Sequence, residues 1–196
     1  MPDASQSVVL ENRHVRLEPL RIAHLDRFCE IGLDPAIWAL NPAPVGTRAA
    51  MQAYIEEALR AQDAGLALPF ATIDKASGLA VGSTRFGNIS RDHRRVEIGW
   101  TWIAPPWQRT AVNSSAKYLM LQYAFETLAC IRVEFKTDTL NTRSRQAILR
   151  LGAQQEGILR RHMVTTSGRL RDTVYFSILA EEWPGVGERL RAFTER

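Results

Sequence analysis

The passage that most constrains the fold lies mid-chain, where Val96 to Ile103 (VEIGWTWI) is stopped by Pro105 and Pro106 and followed by a long apolar segment. Alternation puts Val96, Ile98, Trp100 and Trp102 on one face of a strand and Glu97, Gly99, Thr101 and Ile103 on the other. The paired prolines cannot continue a sheet ladder, so the strand ends before them. Downstream, Leu121, Phe125 and Leu128 form a stripe that Ala116, Leu119, Met120 and Tyr123 widen, which predicts a helix over Ser114 to Leu128. So broad an apolar face requires a sheet to lie against.

The flanking text supplies that sheet. His14 to Leu20 alternates like a half-buried strand that Pro19 ends, and Ile22 to Leu33 carries Leu25, Phe28 and Cys29 at helical spacing. Trp38 to Gly46 reads as an irregular loop, and Thr47 caps a helix bearing Ala50, Met51, Tyr54, Ile55 and Leu59 that ends near Gly65. Leu68 to Ile73 and Ala80 to Phe86 are strands around the turn Lys75 to Gly78. After the central helix come a strand over Ile131 to Asp138 and a helix opened by Asn141 and closed by Gly152, with Ala147, Ile148 and Leu151 inward. Strands over Gly157 to Thr165 and Asp172 to Leu179 turn at Ser167-Gly168, and Glu181 to Arg196 forms a peripheral helix interrupted at Pro184-Gly185. With no repeat or composition break, residues 1–196 read as one α+β domain on a largely antiparallel sheet.

Composition narrows the function. No stretch of the 196 residues has the apolar length of a membrane span, and the first residues, MPDASQSVVLENRHV, lack a basic opening and a long apolar segment, so the expected compartment is the cytoplasm. Cys29 and Cys130 lie in apolar helix-like text without metal-ligand or redox spacing and are expected to be buried free thiols; no metal is expected. The net charge of +4 comes almost wholly from arginine, whose planar guanidinium suits phosphate and carboxylate. These arginines are scattered among acids with no basic run or stacking platform. A phosphorylated small molecule therefore accounts for them at least as well as nucleic acid, and neither nucleic acid nor membrane is expected as a partner. The text has no Gly-Lys-Ser/Thr loop and no Gly-x-Gly-x-x-Gly after a strand, so nucleotide-hydrolase and dinucleotide chemistry lack their own motifs. The sequence leaves open a homodimer.

The element order, the passage EIGWTWIAPPWQRTAVNSSA (Glu97 to Ala116) and the passage NTRSRQAILRLGA (Asn141 to Ala153) resemble the GNAT superfamily of N-acetyltransferases. The later text LGAQQEGILRRHMVTTSGRLRDTVYFSILAEEW is similar to its RimJ/RimL-like branch. The resemblance implies a GNAT-like α+β domain, a mixed, largely antiparallel central sheet with helices on both faces. It also implies acetyl-CoA as acyl donor and an amine acceptor: a protein N-terminus, an amino acid or a small-molecule amine. Its physical basis is a strand that turns at once into a helix, leaving backbone N–H groups and a positive dipole end for a pyrophosphate.

In that resemblance the donor-binding residues are Ile103, Gln108, Arg109, Thr110, Ala111, Val112, Asn113, Ser114, Asn141, Ser144 and Arg145, with Arg143 as another arginine able to reach a phosphate. The family's loop carries a glycine where Ala111 stands and glycine or alanine where Asn113 stands; Asn113 is read as an N-cap or a left-handed residue. Asn141 matches an asparagine that bonds the pantetheine arm and is equally an N-cap. Where the family often has a proton-donating tyrosine, this chain has Ile148, and Tyr175 is the conceivable substitute. Glu97 is the expected general base, the alternative being a surface carboxylate paired with Arg91, Arg94 or Arg95. A backbone N–H near Ile103 and Ala104 is the expected donor to the thioester oxygen. Acceptor-side loops fall at Trp38, Asn41 to Pro44, Arg85, Asn88 and the hairpin Arg160 to Arg171; Trp38, Trp107 and His162 read more simply as structural residues. An acyl-CoA-binding protein with weak or no catalysis is the competing expectation.

Overall fold

The computed structural model describes residues 8–194; the rest of the polar leader and the last two residues lie outside it. Eight strands form one sheet in the order β1-β2-β3-β4-β5-β6-β8-β7. They span Leu10–Glu11 (β1), Val15–Pro19 (β2), Leu68–Asp74 (β3), Leu79–Ser90 (β4), Arg95–Ile103 (β5), Arg132–Asp138 (β6), Gln154–Val164 (β7) and Leu170–Leu179 (β8). Only β5 and β6 pair in parallel; every other neighbour is antiparallel.

Helices cover both faces. Leu25–Gly32 (α1), Pro35–Trp38 (α2) and Arg48–Asp63 (α3) enclose a cluster with Phe28, Trp38, Met51, Ile55 and Trp102. Ala111–Gln122 (α4), Thr142–Leu151 (α5) and Trp183–Thr194 (α6) share a larger core with Phe70, Phe86, Val96, Ile98, Val133, Phe135, Val174 and Phe176. The first three helices reach only as far as β5. On β6 and β8 the residues facing away from the larger core, such as Glu134, Lys136, Thr173, Tyr175 and Ser177, are therefore polar.

Local chemistry sets most boundaries. Thr47 caps α3 by accepting from the Ala50 N–H at 3.1 Å, and Gly152 closes α5 with a φ of 100° that favours glycine. Three expectations need correcting. α4 starts at Ala111 because Thr110, three residues before the expected Asn113 cap, accepts from the Val112 N–H; it gives way to a π-helical turn over Tyr123–Thr127. α6 runs unbroken through Pro184 and Gly185, since a proline in the first turn of a helix lacks only an N–H that would have no partner there. Cys130 is buried, and burial pushes its thiol up to about 11, but Cys29 is only half-buried.

The most consequential correction concerns β5. Ser83 pairs with Trp102 and Arg85 with Gly99, so two residues of β5, Trp100 and Thr101, oppose the single Thr84 of β4, and Trp100 takes a left-handed φ of 49°. This bulge swaps the faces beyond it. Val96, Ile98 and Ile103 point into the larger core, Trp102 joins the α1–α3 cluster, and Trp100 stands partly exposed with its ring where a Cβ on Gly87 would sit.

Candidate active site

The parallel ladder between β5 and β6 is short. It joins Arg95, Val96 and Glu97 to Arg132, Val133 and Glu134 and then stops, while β5 continues to Ile103 and β6 to Asp138. Beyond Glu97 the two strands part, and one edge of β5 has no strand partner. An unpaired strand edge offers alternating N–H and C=O groups to any extended chain that enters the gap.

Glu97 sits at the fork. It is 3% exposed, accepts a 2.6 Å hydrogen bond from the Asn88 amide and pairs with Lys136 at 2.9 Å. This corrects the surface alternative: the partner is a lysine across the fork, while Arg94 bonds the Ala129 carbonyl and Arg95 pairs with Glu134. The Trp100 ring lies between two cations, the Arg85 guanidinium at 4.4 Å and Lys136 Nζ at 5.8 Å. Arg85 is itself buried and paired with Glu57 of α3 at 3.0 Å. Glu97 and Tyr175 line one open recess of about 630 Å³, together with Asn88, Arg95, Glu134 and Leu159. The structure thus brings the expected base and the expected proton donor to one place, with the His162 ring edge-on to Tyr175 at 5.9 Å.

The turn at the end of β5 is reorganised relative to expectation. The left-handed residue is Arg109, with φ 66°, so Ala111 and Asn113 need no unusual backbone and glycine is dispensable at both. Val112 is buried and its N–H is used by the Thr110 cap. Helix geometry leaves the Ala111 and Asn113 N–H groups without intrahelical acceptors. Asn113 Oδ1 is buried without a hydrogen-bond partner, and Ser114 is half-buried beside it. Gln108 ties the turn together: its amide donates to the Ile103 carbonyl at 2.7 Å and its carbonyl accepts from Arg143 at the start of α5. Arg145, in contrast, bonds the Thr139 carbonyl at 3.3 Å and Gln155 at 3.5 Å, so of the two arginines it is Arg143 that meets the turn.

Asn141 caps α5 by accepting from the Ser144 N–H at 3.0 Å, which leaves its amide N–H groups available. Ile148 is buried in the larger core and supplies no proton. The Ala104 N–H already donates to the Val81 carbonyl at 2.9 Å, which removes it as a donor to a thioester oxygen. Strand alternation turns the Ile103 N–H to the other edge, toward the gap.

A second recess of about 340 Å³ lies between the 41–46 loop and the β7–β8 hairpin, lined by Asn41, Pro44, Thr165, Ser167 and Arg169 among others. The Thr166 N–H bonds the Pro42 carbonyl at 2.9 Å, so the two loops expected on the acceptor side meet. Trp38 is a packing residue, with its indole N–H on the Gly32 carbonyl at 2.6 Å, and Trp107 bonds Asp74 at 3.2 Å.

Two buried cations escaped the sequence analysis as individuals. Lys117 of α4 lies under the bulge, its amine 3.0 Å from the Thr84 hydroxyl and hydrogen-bonded to that of Thr101, and burial pulls it down to about 7. Nothing in the text marks it, because Thr101 reaches the α4 face only through the bulge. Arg171 was visible only as part of a hairpin. Among the described residues no three His, Cys, Asp or Glu side chains form a group that could hold a metal ion, and no helix is long and apolar enough to cross a membrane.

A forked central sheet, an open strand edge leading to a helix N-terminus and an asparagine cap across the fork are the features that the comparisons with known proteins meet. Residues 14–154 match the acetyltransferase (GNAT) domain, and the chain belongs to the GNAT family of N-acetyltransferases. It is 27% identical over 177 residues to the uncharacterised N-acetyltransferase p20 of Bacillus licheniformis, covering 90% of this chain and 98% of that protein. A GCN5-related N-acetyltransferase from Brucella melitensis matches with a TM-score of 0.87 and 32% identity, over 96% of this chain and 86% of that one. Mycobacterium smegmatis RimJ, solved in complex with CoA-disulfide, shares the fold at a TM-score of 0.82 and 23% identity, over 96% of this chain and 95% of that one.

Proposed function

We propose that this chain moves the acetyl group of acetyl-CoA to a primary amine, with Glu97 as base, and that the reaction takes place where β5 and β6 part. The observation that carries the reading is the position of Glu97: a buried carboxylate at the fork, from which an unpaired strand edge runs to the N-terminus of α4. The donor's phosphates would lie against the Ala111 and Asn113 N–H groups, Arg109 and Arg143, and its extended arm along β5 toward Asn141. The Ile103 N–H would meet the thioester oxygen as it gains charge.

An ammonium has no lone pair, so a proton must leave before attack. Glu97 takes it, directly or through a water in the open recess; the amine nitrogen bonds the acetyl carbon, and the carbon–sulfur bond breaks. The acylated nitrogen releases its second proton to solvent in the open recess, and the departing thiolate takes a proton from Tyr175 or from solvent, since Ile148 offers none. A thiolate is a tolerable leaving group, so the absence of a tyrosine at 148 does not stop the reaction. The acceptor would enter from the half of the sheet that α1–α3 leave uncovered, past the 41–46 loop and the β7–β8 hairpin. The test is CoA release from acetyl-CoA with a panel of amines: amino acids, short peptides with free N-termini and polyamines. Amine-dependent release is expected. Tight CoA binding with no release for any amine would instead favour a binding protein without catalysis.

A further inference from the structure

The mechanism leaves the buried cation of β8 unassigned. Arg171 on β8 is 6% exposed, yet its nearest charged partner, Asp138, stands 3.9 Å away, and its Nε has no hydrogen-bond partner. Asp138 does not need it. One carboxylate oxygen of Asp138 accepts from the Leu140 N–H at 3.0 Å, and the other is bound by Arg169. Burying a five-donor guanidinium without hydrogen bonds is costly, and such a group in a folded protein calls for a partner that completes it.

The surroundings say what that partner is. Arg171 pairs with Met163 of β7 and stands two residues before Thr173, which pairs with Asp138 at the end of β6, so it lies between the hairpin and the fork; burial opposes its charge and Arg169 repels it. Here three cations, Arg171 itself with Lys136 and Arg169, face two carboxylates, Glu97 and Asp138. At the far end of the same uncovered face the charges close on themselves: Arg95 and Arg132 bind Glu134, and Arg132 binds Glu156. The surplus positive charge near the fork therefore resides on the guanidinium that lacks hydrogen bonds.

We infer that Arg171 receives a carboxylate of the acceptor, so that the amine acetylated beside Glu97 belongs to an amino acid or to a residue with an acidic group close to its amine. This rests on the proposed acetyl transfer at the fork. A planar guanidinium binds a carboxylate through two parallel hydrogen bonds, which an amide cannot match.

The experiment compares acids with their amides in two arms. One arm takes the common α-amino acids and β-alanine, each beside its carboxamide. The other takes dipeptide amides beginning with Asp or Glu, each beside the Asn or Gln counterpart. For the wild-type chain at least one acid should show a KM about tenfold or more below its amide, the scale of a charge-assisted pair, and the arm in which this occurs identifies the source of the carboxylate. Arg171→Met should erase the preference by raising the acid's KM while leaving the amide's KM and the affinity for CoA near their wild-type values; Arg171→Lys should keep part of it. Thermal-shift titration with the same acids and amides, in the presence of CoA, reads the preference without turnover. Acetylation of amines with no acid-over-amide preference in either arm overturns this inference alone. Absence of both acid-dependent stabilisation and amine-dependent CoA release overturns it together with the proposed function.

Discussion

The two sides of the gap between β5 and β6 are built by different means. The side proposed for the donor is mostly backbone: an unpaired strand edge, the first N–H groups of α4 and the cap of α5. The side proposed for the acceptor is mostly charged side chains: Glu97 with Lys136, Arg85 with Glu57 of α3, and Asp138 with Arg169 are held by ion pairs, and Arg171 stands beside them without a hydrogen bond. Backbone groups are common to every sequence that folds this way, so Ala111 and Asn113 in place of smaller residues are compatible with the proposed donor side. Side-chain pairs depend on register and cannot be exchanged so freely.

The difference predicts where substitution hurts most. Glu97→Gln keeps the bond from Asn88 and removes the charge; it should lower kcat by roughly 100-fold or more and leave CoA affinity and the melting temperature close to wild type. CoA release followed across pH checks this, and equal profiles for the two proteins would remove Glu97 from the chemistry. Lys117 tests whether the fork is held from beneath. Its amine is lowered from 10.5 to about 7 by burial, so between these values the unfolded chain holds a proton that the folded chain does not. Wild-type stability should therefore rise with pH across that window. Lys117→Met should melt several degrees higher than wild type at pH 6, with the advantage shrinking toward pH 10; a gap that does not change with pH would show that the lysine is not neutral when folded. On the donor side the effect should be smaller: Ala111→Ile adds bulk beside the exposed first turn of α4 and should raise the CoA Kd by about tenfold, equivalent to about 1.4 kcal/mol. Calorimetry would detect it, and unchanged affinity would move the phosphates away from this turn.

The same division governs what could be read from the text. Thr47, Asn141, Gly152, the turn at Lys75 to Gly78 and the stop at Pro105-Pro106 each act within a few residues, so sequence alone located them. The bulge at Trp100 could not be located: VEIGWTWI alternates as far as Trp102, and only pairing with β4 reveals the extra residue. Everything that depends on the bulge was hidden with it, including the face of Trp102 and the meeting of Thr101 with Lys117. The start of α4 was misjudged because Asn113, Ser114 and Ser115 all have capping chemistry, while the threonine that performs the role follows a residue in a left-handed conformation. Glu97 stands out in the text because a carboxylate in an apolar strand is conspicuous; Arg171 does not, because one arginine among many carries no such contrast.

The extra residue at Trp100 also changes what kind of object the sheet is. β5 parts from β6 after Glu97 and bulges against β4 at Trp100, so the ladder is left unfinished in the folded protein, with the donors and acceptors of that edge already in line. Any extended molecule bearing amides can then take the position of an absent ninth strand without displacing a protein hydrogen bond. Recognition of that kind reads spacing along a chain rather than the identity of what hangs from it. A deletion at position 100 that restored simple alternation would be expected to complete the sheet and, in doing so, to leave the visitor nowhere to lie.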